Sequence, residues 1–204
     1  MIEFDRRLGV RFVAGADEVG RGSLAGPLVA AGVVFDYERL RGASTRPLAT
    51  LDDSKRCGAS EREELFRAVV ASAELTVVEV IPAGEIDRRG LHEANLEALR
   101  RVLRACSPPA ELCLVDGLRL GPDAPPHEVL VSGDARSAAI AAASIVAKVV
   151  RDRAMRRLDG VFPRYGFAAH VGYITKDHAA AVRRHGPSAV HRRSFRAGCY
   201  EKTA

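Results

Sequence analysis

The feature that most constrains the fold of this 204-residue chain is a run of small apolar residues in its second half. The sequence ARSAAIAAASIVAKVV, which starts at Ala135, is rich in alanine and apolar around almost its whole helical circumference. A helix without a polar face has to be buried, and its small side chains let neighbouring main chains come close. We therefore predict a helix over residues 135–158. Its first half should be buried in the centre of the fold, and its second half, RDRAMRRLD, should be a charged, exposed extension.

Shorter apolar segments on either side of this run predict a sheet and further helices. Strands are expected over residues 11–16, 28–35, 75–81, 112–115 and 128–131. Helices are expected over 60–73, with a capping box formed by Ser60 and Glu63, over 83–105 with a break near Gly90, and over 176–185. Residues 38–50 and 160–172 read as loops. Strands that alternate with helices predict a mixed α/β layer structure, here in a single domain over residues 1–204.

Charge is distributed unevenly along the chain. The net charge is +5, but residues 136–204 hold 14 basic and only 4 acidic residues. Such an imbalance indicates a basic surface for a polyanion, although a solvated, arginine-rich surface explains it equally well.

The cellular compartment follows from what the sequence lacks. No window resembles a membrane-spanning helix, and the start, MIEFDRRLGVRF, has no apolar stretch of signal-peptide length. We therefore expect a cytoplasmic protein that does not enter a membrane. In that compartment the four cysteines are expected to be free thiols: Cys57, Cys106, Cys113 and Cys199.

Four acidic residues stand where a predicted strand ends or a predicted helix begins: Asp17, Glu18, Asp116 and Asp134. Functional sites of open α/β sheets gather at such strand ends. Carboxylates that meet there repel one another unless a cation lies between them. Oxygen ligands without cysteine or histidine favour Mg²⁺ or Mn²⁺, and two such ions can support phosphodiester cleavage.

Each acidic residue also has a local explanation. Asp17 and Glu18 could form a strand-end turn, Asp116 a turn with Gly117, and Asp134 the N-cap of the long helix. Neighbouring residues of a regular strand point to opposite faces, so Asp17 and Glu18 share one site only if the strand is distorted. Spacing alone does not decide between these readings.

Five sequence blocks occur in a fixed order: GADEVGRGSLAGPL, LDDSK, LVDG, SGDARSAAIAAASIVAKVVRDR and YGFAAHVGY…HGPSAVHRRSF. Together they resemble the bacterial type 2 ribonuclease H family, ribonuclease HII, over residues 11–196. The resemblance implies a ribonuclease H-like fold, with a central five-stranded mixed sheet flanked by helices and a small C-terminal helical part. It also implies an endonuclease that hydrolyses the RNA strand of RNA–DNA hybrids and nicks 5′ of single ribonucleotides in duplex DNA.

The resemblance also assigns roles to individual residues. The catalytic and metal-binding acids would be Asp17, Glu18, Asp116 and Asp134, with Mg²⁺ or Mn²⁺ in a two-metal mechanism. Substrate would be bound by the GRG motif, a serine–lysine pair and a tyrosine: Gly20, Arg21, Gly22, Ser54, Lys55 and Tyr173. Backbone groups of GRG could read the ribose 2′-OH, with Tyr173 at the RNA–DNA junction. Residues 160–204 would contribute to substrate binding.

Other residues of these blocks have less defined roles. Lys148 fits either a functional position or a structural ion pair. His170, His178, His185 and His191 are expected at the surface or beside phosphates rather than on a metal, and Arg192 and Arg193 are expected to be mainly structural. We see no clamp-binding motif in RRSFRAGCYEKTA, and we expect a monomer.

Three other functions remain open at this point. A ribonuclease HIII has the same fold but usually a GKG motif and an additional N-terminal domain. A non-catalytic duplex-binding module could use the basic C-terminal third, but four clustered acids would repel nucleic acid. A two-metal nuclease that acts on DNA alone would have no 2′-OH to read with GRG and Tyr173.

Overall fold

A five-stranded mixed sheet is the centre of the computed structural model, which describes residues 1–51 and 58–200. The strands are β1 (Phe12–Val19), β2 (Leu28–Asp36), β3 (Leu75–Ile81), β4 (Leu112–Asp116) and β5 (Glu128–Leu130). Their order across the sheet is β3-β2-β1-β4-β5. The β1–β2 and β2–β3 pairs are antiparallel, whereas β1–β4 and β4–β5 are parallel. The predicted mixed sheet of five strands is confirmed.

Helices cover both faces of this sheet. They are α1 (Ile2–Arg6), α2 (Ala59–Ser72), α3 (Ala83–Arg89), α4 (Leu91–Cys106), α5 (Ala138–Val161), α6 (Phe167–His170) and α7 (Lys176–His185). Short 3₁₀ segments occupy Gly42–Leu48 and Gly133–Ala135. The predicted break at Gly90 is confirmed, because this glycine has a φ of 83° and separates α3 from α4.

The alanine-rich helix α5 lies directly on strand β1. A Cβ atom added to Gly15 would come within 2.1 Å of the Ala139 carbonyl carbon, so the two main chains are in contact. Val13 of β1 packs with α5, whereas its neighbour Ala14 packs on the opposite face with α4. Each strand residue therefore faces either α5 or α4, in strict alternation.

Three details of the predicted helices are wrong. Residues 160–172 are not all loop, because they contain the end of α5 and the whole of α6. The second half of α5 is not an exposed extension throughout, because Arg151, Asp152 and Met155 are buried. Helix α2 is not capped by Ser60 and Glu63: it begins at Ala59, and Glu61 accepts a hydrogen bond from the Gly58 amide at 2.8 Å. Glu63 instead pairs with Arg153 of α5, since the two helices pack side by side.

The C-terminal part packs on the second half of α5 and on the loop between β1 and β2 through a third hydrophobic cluster. Its buried members include Leu24, Met155, Phe167 and Val182. Two histidines that we expected at the surface, His178 and His191, are instead buried, with Nε2 atoms 3.0 Å apart.

These buried histidines resist protonation. Burial, with the neighbouring histidine charges, lowers the pKa of His191 to about 4, and burial lowers the pKa of His178. The aromatic cluster around Phe167 removes both rings from water, which sequence spacing does not reveal.

The remaining sequence expectations concern thiols and membranes. Cys106, Cys113 and Cys199 are buried free thiols, as predicted, while Cys57 lies outside the described residues. Within residues 1–51 and 58–200, no helix combines the length and apolar character that a membrane span requires.

Candidate active site

Asp17 and Glu18 lie within strand β1 rather than beyond its end. Both pair with β2 in an unbroken register, Asp17 opposite Ala31 and Glu18 opposite Ala30, so β1 is not distorted there. The charge of Glu18 nevertheless raises the pKa of Asp17, so the two carboxylates lie near one another at the same end of the strand. The Asp17 carboxylate faces α5, where the nearby Ser144 hydroxyl acts to lower its pKa. Glu18 faces α4. The two carboxylates therefore leave the strand on opposite faces of the sheet.

Asp116 ends strand β4, beside Asp17. The parallel register pairs Ala16 with Val115, so the next position on each strand places Asp17 next to Asp116. Adjacent strands are about 4.8 Å apart, and residues in parallel register point to the same face. Asp116 is held in place by the Gly133 amide, which donates to its Oδ1 at 2.6 Å.

Asp134 belongs to the short turn that connects β5 to α5. It follows Gly133, whose amide binds Asp116, so the backbone of this turn is anchored to the end of β4. Asp134 is not the N-cap of α5, because Ser137 occupies that position and accepts a hydrogen bond from the Ile140 amide at 3.3 Å. The N-cap alternative is therefore wrong.

The electrostatic environment couples three of the four acids. Burial, together with the charges of Glu18 and Asp116, raises the pKa of Asp17 to about 7 against the opposing hydrogen bond from Ser144. Burial also raises the pKa of Glu18, and the charge of Asp116 adds to this increase. A cation at this sheet edge would relieve the repulsion and restore the ionised carboxylates.

Glu18 is held by two side chains but keeps one oxygen unsatisfied. Its Oε1 accepts a hydrogen bond from Asn95 Nδ2 at 3.1 Å and from Arg21 Nη1 at 3.3 Å. Its Oε2 is buried and has no hydrogen-bond partner. A buried carboxylate oxygen without a donor is an unfavourable arrangement that a bound cation would satisfy.

These observations test whether the site fits a divalent metal. In the described part of the chain, no group of three or more Asp, Glu, His or Cys side chains is close enough together to hold a metal ion as it stands. The donor set nevertheless fits a hard cation: carboxylates at one sheet edge, mutually repelling, with an orphaned oxygen on Glu18. The residues that could hold such an ion are Asp17, Glu18, Asp116 and Asp134.

The GRG motif forms the turn that follows β1. Gly20 has a φ of 91°, and an added Cβ would come within 2.1 Å of Arg151 Nε, so this position requires glycine for packing inside the protein. Gly22 faces open space, where nothing lies within 4 Å of a Cβ position. Arg21 is half exposed and reaches back to Glu18. The first glycine of the motif is therefore packed against the protein interior, and the last glycine is accessible from outside.

Tyr173 lies on the same side of the molecule as this turn. Its side chain is 38% exposed, and its ring centroid is 5.5 Å from Arg151 Cζ, the side chain on which Gly20 packs. Two residues earlier, Val171 has a φ of 43°, an unfavourable conformation for a β-branched residue.

The two other predicted substrate-binding residues, Ser54 and Lys55, lie outside the described residues.

Three residues of this region were not singled out from the sequence as supporting the acids or GRG. Asn95 is fully buried on α4, Ser144 of α5 acts to lower the pKa of Asp17, and Arg151 lies beneath Gly20. Asn95 carries a recognisable signal, because it is a polar residue within the apolar stripe of an amphipathic helix. Lys148 proves to be in an ion pair, with Nζ 2.7 Å from Asp152 Oδ1.

Comparison with known proteins agrees with this geometry. The family model described as Ribonuclease HII matches residues 14–197. The ribonuclease HII of Rhizobium johnstonii is 48% identical over 192 residues, which cover 94% of this chain and 80% of the relative.

Two solved structures resemble the fold. The PCNA:RNase HII complex from Archaeoglobus fulgidus has a TM-score of 0.75 at 27% identity, with 91% of this chain and 96% of that chain covered. Bst-RNase HIII in complex with Mn²⁺ has a TM-score of 0.74 at 19% identity, with 97% of this chain and 70% of that chain covered. The ribonuclease H-like fold is thereby confirmed, and the chain belongs to the ribonuclease HII family of endoribonucleases.

Proposed function

We propose that this protein hydrolyses the RNA strand of RNA–DNA hybrids and nicks duplex DNA 5′ of a single embedded ribonucleotide, with Mg²⁺ or Mn²⁺. The observation that carries the proposal is the coupling of Asp17, Glu18 and Asp116 at one sheet edge, directly before the GRG turn. Membership of the ribonuclease HII family supports the same reaction.

The metal would be held by Asp17, Glu18, Asp116 and Asp134. When bound, a pair of divalent ions activates the attacking water and stabilises the leaving oxygen of a phosphodiester. Bst-RNase HIII, which shares the fold, has been solved with Mn²⁺. The Gly133 amide keeps Asp116 in place, and Asn95 keeps Glu18 in place, so the chain itself fixes two of the four carboxylates before substrate arrives.

Ribonucleotide recognition would fall to the GRG turn and Tyr173. The open position at Gly22 lets the sugar–phosphate backbone approach the main chain, whose N–H and C=O groups can bind a 2′-OH. The exposed ring of Tyr173 can stack at the RNA–DNA junction. Ser54 and Lys55 would contact phosphate, and residues 160–204 would complete the binding surface of a single catalytic domain.

The three alternative functions have less support. The Ribonuclease HII model spans nearly the whole described chain, and the motif is GRG, which argues against a ribonuclease HIII specificity. A non-catalytic module has no use for an acidic cluster that repels phosphate. A nuclease restricted to DNA would not need residues that recognise a ribose 2′-OH.

The proposed setting is the cytoplasm, and the proposed substrate partners are RNA–DNA hybrid and ribonucleotide-containing DNA. The Archaeoglobus fulgidus enzyme was solved with PCNA, but we see no clamp-binding motif in RRSFRAGCYEKTA, so we propose no clamp partner. We propose that it acts as a monomer.

The test is cleavage of a DNA duplex that carries one ribonucleotide, with Mg²⁺, with Mn²⁺ and with excess EDTA. We expect a nick on the 5′ side of the ribonucleotide that leaves 3′-OH and 5′-phosphate ends. The same duplex without the ribonucleotide and the Asp17→Asn variant are the controls. Cleavage that persists in EDTA, or 2′,3′-cyclic phosphate ends, would exclude the proposed chemistry.

A further inference from the structure

Two arginines, Arg151 of α5 and Arg192 near the C-terminus, are fully buried. Neither forms an ion pair with a carboxylate among residues 1–51 and 58–200. Burial and the charge of Arg151 lower the pKa of Arg192 to about 10. Two buried guanidinium groups of like charge are unfavourable unless they make strong hydrogen bonds, so their partners indicate what they are for.

Their partners are backbone carbonyls of one loop, residues 20–27, which connects β1 to β2 and contains GRG. Arg151 Nε donates to the Pro27 carbonyl at 2.9 Å, and its Nη2 donates to Ala25 at 3.3 Å. Arg192 Nε donates to the Gly26 carbonyl at 3.1 Å, and its Nη1 donates to Arg21 at 2.8 Å. The two arginines therefore fix the path of the 20–27 loop.

The same arginines connect this loop to Tyr173. Arg151 lies against the Tyr173 ring on one side and beneath Gly20 on the other. The Leu24 amide donates to the Gly172 carbonyl at 2.8 Å, which fastens the loop to the residue before Tyr173. The GRG turn and the tyrosine are thus held through shared contacts rather than independently.

We propose that Arg151 and Arg192 are positioning residues that lock the 20–27 loop and Tyr173 into one rigid reader of a single ribonucleotide. The inference rests on the proposed function. A lone ribonucleotide offers one 2′-OH and one junction, so the GRG backbone and the Tyr173 ring must be correctly spaced at the same moment. A continuous RNA strand offers many registers, and a poorly fitting one can be exchanged for another.

The experiment compares two substrates, a duplex with one ribonucleotide and a continuous RNA–DNA hybrid. The variants are Arg151→Met, Arg192→Met and the charge-retaining pair Arg151→Lys and Arg192→Lys. Arg88→Met, an exposed arginine on α3, is the matched control. We expect kcat/KM on the single ribonucleotide, divided by kcat/KM on the hybrid, to fall about tenfold or more in each Met variant and to stay constant in the control.

A binding measurement without turnover separates the possible results. In Ca²⁺, the wild-type protein should prefer the one-ribonucleotide duplex over all-DNA duplex, and the variants should lose that preference. An equal loss on both substrates, with the binding preference kept, would reduce the arginines to a structural role and overturn the proposal. If the Met variants do not fold, the Lys variants decide, because they retain the charge but lose the paired bonds.

Failure of the proposed function would look different. A wild-type protein that cleaves neither substrate would refute the proposed function, and the binding preference would still test the arginines. If such a wild-type protein binds the one-ribonucleotide duplex and the all-DNA duplex equally well, the proposal that the arginines position a ribonucleotide reader is also refuted.

Discussion

Replacement of Asn95 by leucine should separate activity from stability. Asn95 is fully buried, donates to Glu18 Oε1 at 3.1 Å, and leaves its own Oδ1 buried without a partner. A hydrogen bond to a charged group contributes about 1.5–3 kcal/mol. If the full bond orients Glu18 in the transition state, its loss lowers kcat/KM about 10- to 150-fold.

The same substitution should leave the free energy of unfolding within about 1 kcal/mol of the wild type. Loss of the bond to Glu18 is unfavourable, but removal of an unpartnered buried carbonyl is favourable by a similar amount. Leucine also has the same number of side-chain heavy atoms as asparagine and the same branching at Cγ. Activity and stability are therefore predicted to change independently.

The assay measures kcat/KM on the one-ribonucleotide duplex in saturating Mn²⁺, with urea denaturation of the same protein. Val102→Ala is the control, since Val102 lies two turns further along α4, against Gly32. That variant should cost about 2 kcal/mol of stability and leave the kcat/KM of the folded protein unchanged. Full activity of Asn95→Leu would show that the position of Glu18 does not depend on this contact.

Further predictions concern Asp17, Asp116, His191 and Tyr173. Asp17→Asn and Asp116→Asn should each lose activity by orders of magnitude while circular dichroism and substrate binding are kept; near-normal turnover of either would contradict the metal assignment. Folded His191 takes up its proton near pH 4 and the unfolded chain near 6.5, so stability should fall as pH drops through this window. The wild type should lose about 3 kcal/mol more than His191→Gln, and equal pH slopes would refute this. Tyr173→Phe should weaken binding of the ribonucleotide by about 0.5–1.5 kcal/mol, the net free energy of one hydrogen bond. Tyr173→Ala should lose more, selectively on the single ribonucleotide, and an equal loss on long hybrid would contradict the junction role.

Local patterns predicted most of the fold. The alanine-rich run indicated α5 because a helix of such residues has no polar face. Gly90 marked a helix break because glycine is the residue that readily adopts a φ of 83°. Strand β1 was predicted too short, since Asp17 and Glu18 are poor strand formers, and pairing with β2 overrides their intrinsic preference.

Long-range packing could not be predicted in the same way. The burial of Arg151 and His178 depends on carbonyls and rings that are distant in sequence, such as Pro27 and His191. The four acids were found from the family resemblance and their strand ends. That these acids lie on both faces of the sheet could be established only from the observed strand register.

The topology of the sheet also sets the order in which the site can be assembled. Strands β1, β2 and β3 form an antiparallel meander of neighbours in sequence, whereas the β1–β4 pair joins Val13 to Leu112. Contacts between distant segments close large loops and tend to form later than local ones. A chain emerging from the ribosome can thus present Asp17 on a formed meander while β4 is still being synthesised. Synthesis of β4 and α5 therefore sets the earliest moment at which a nascent copy can cut nucleic acid.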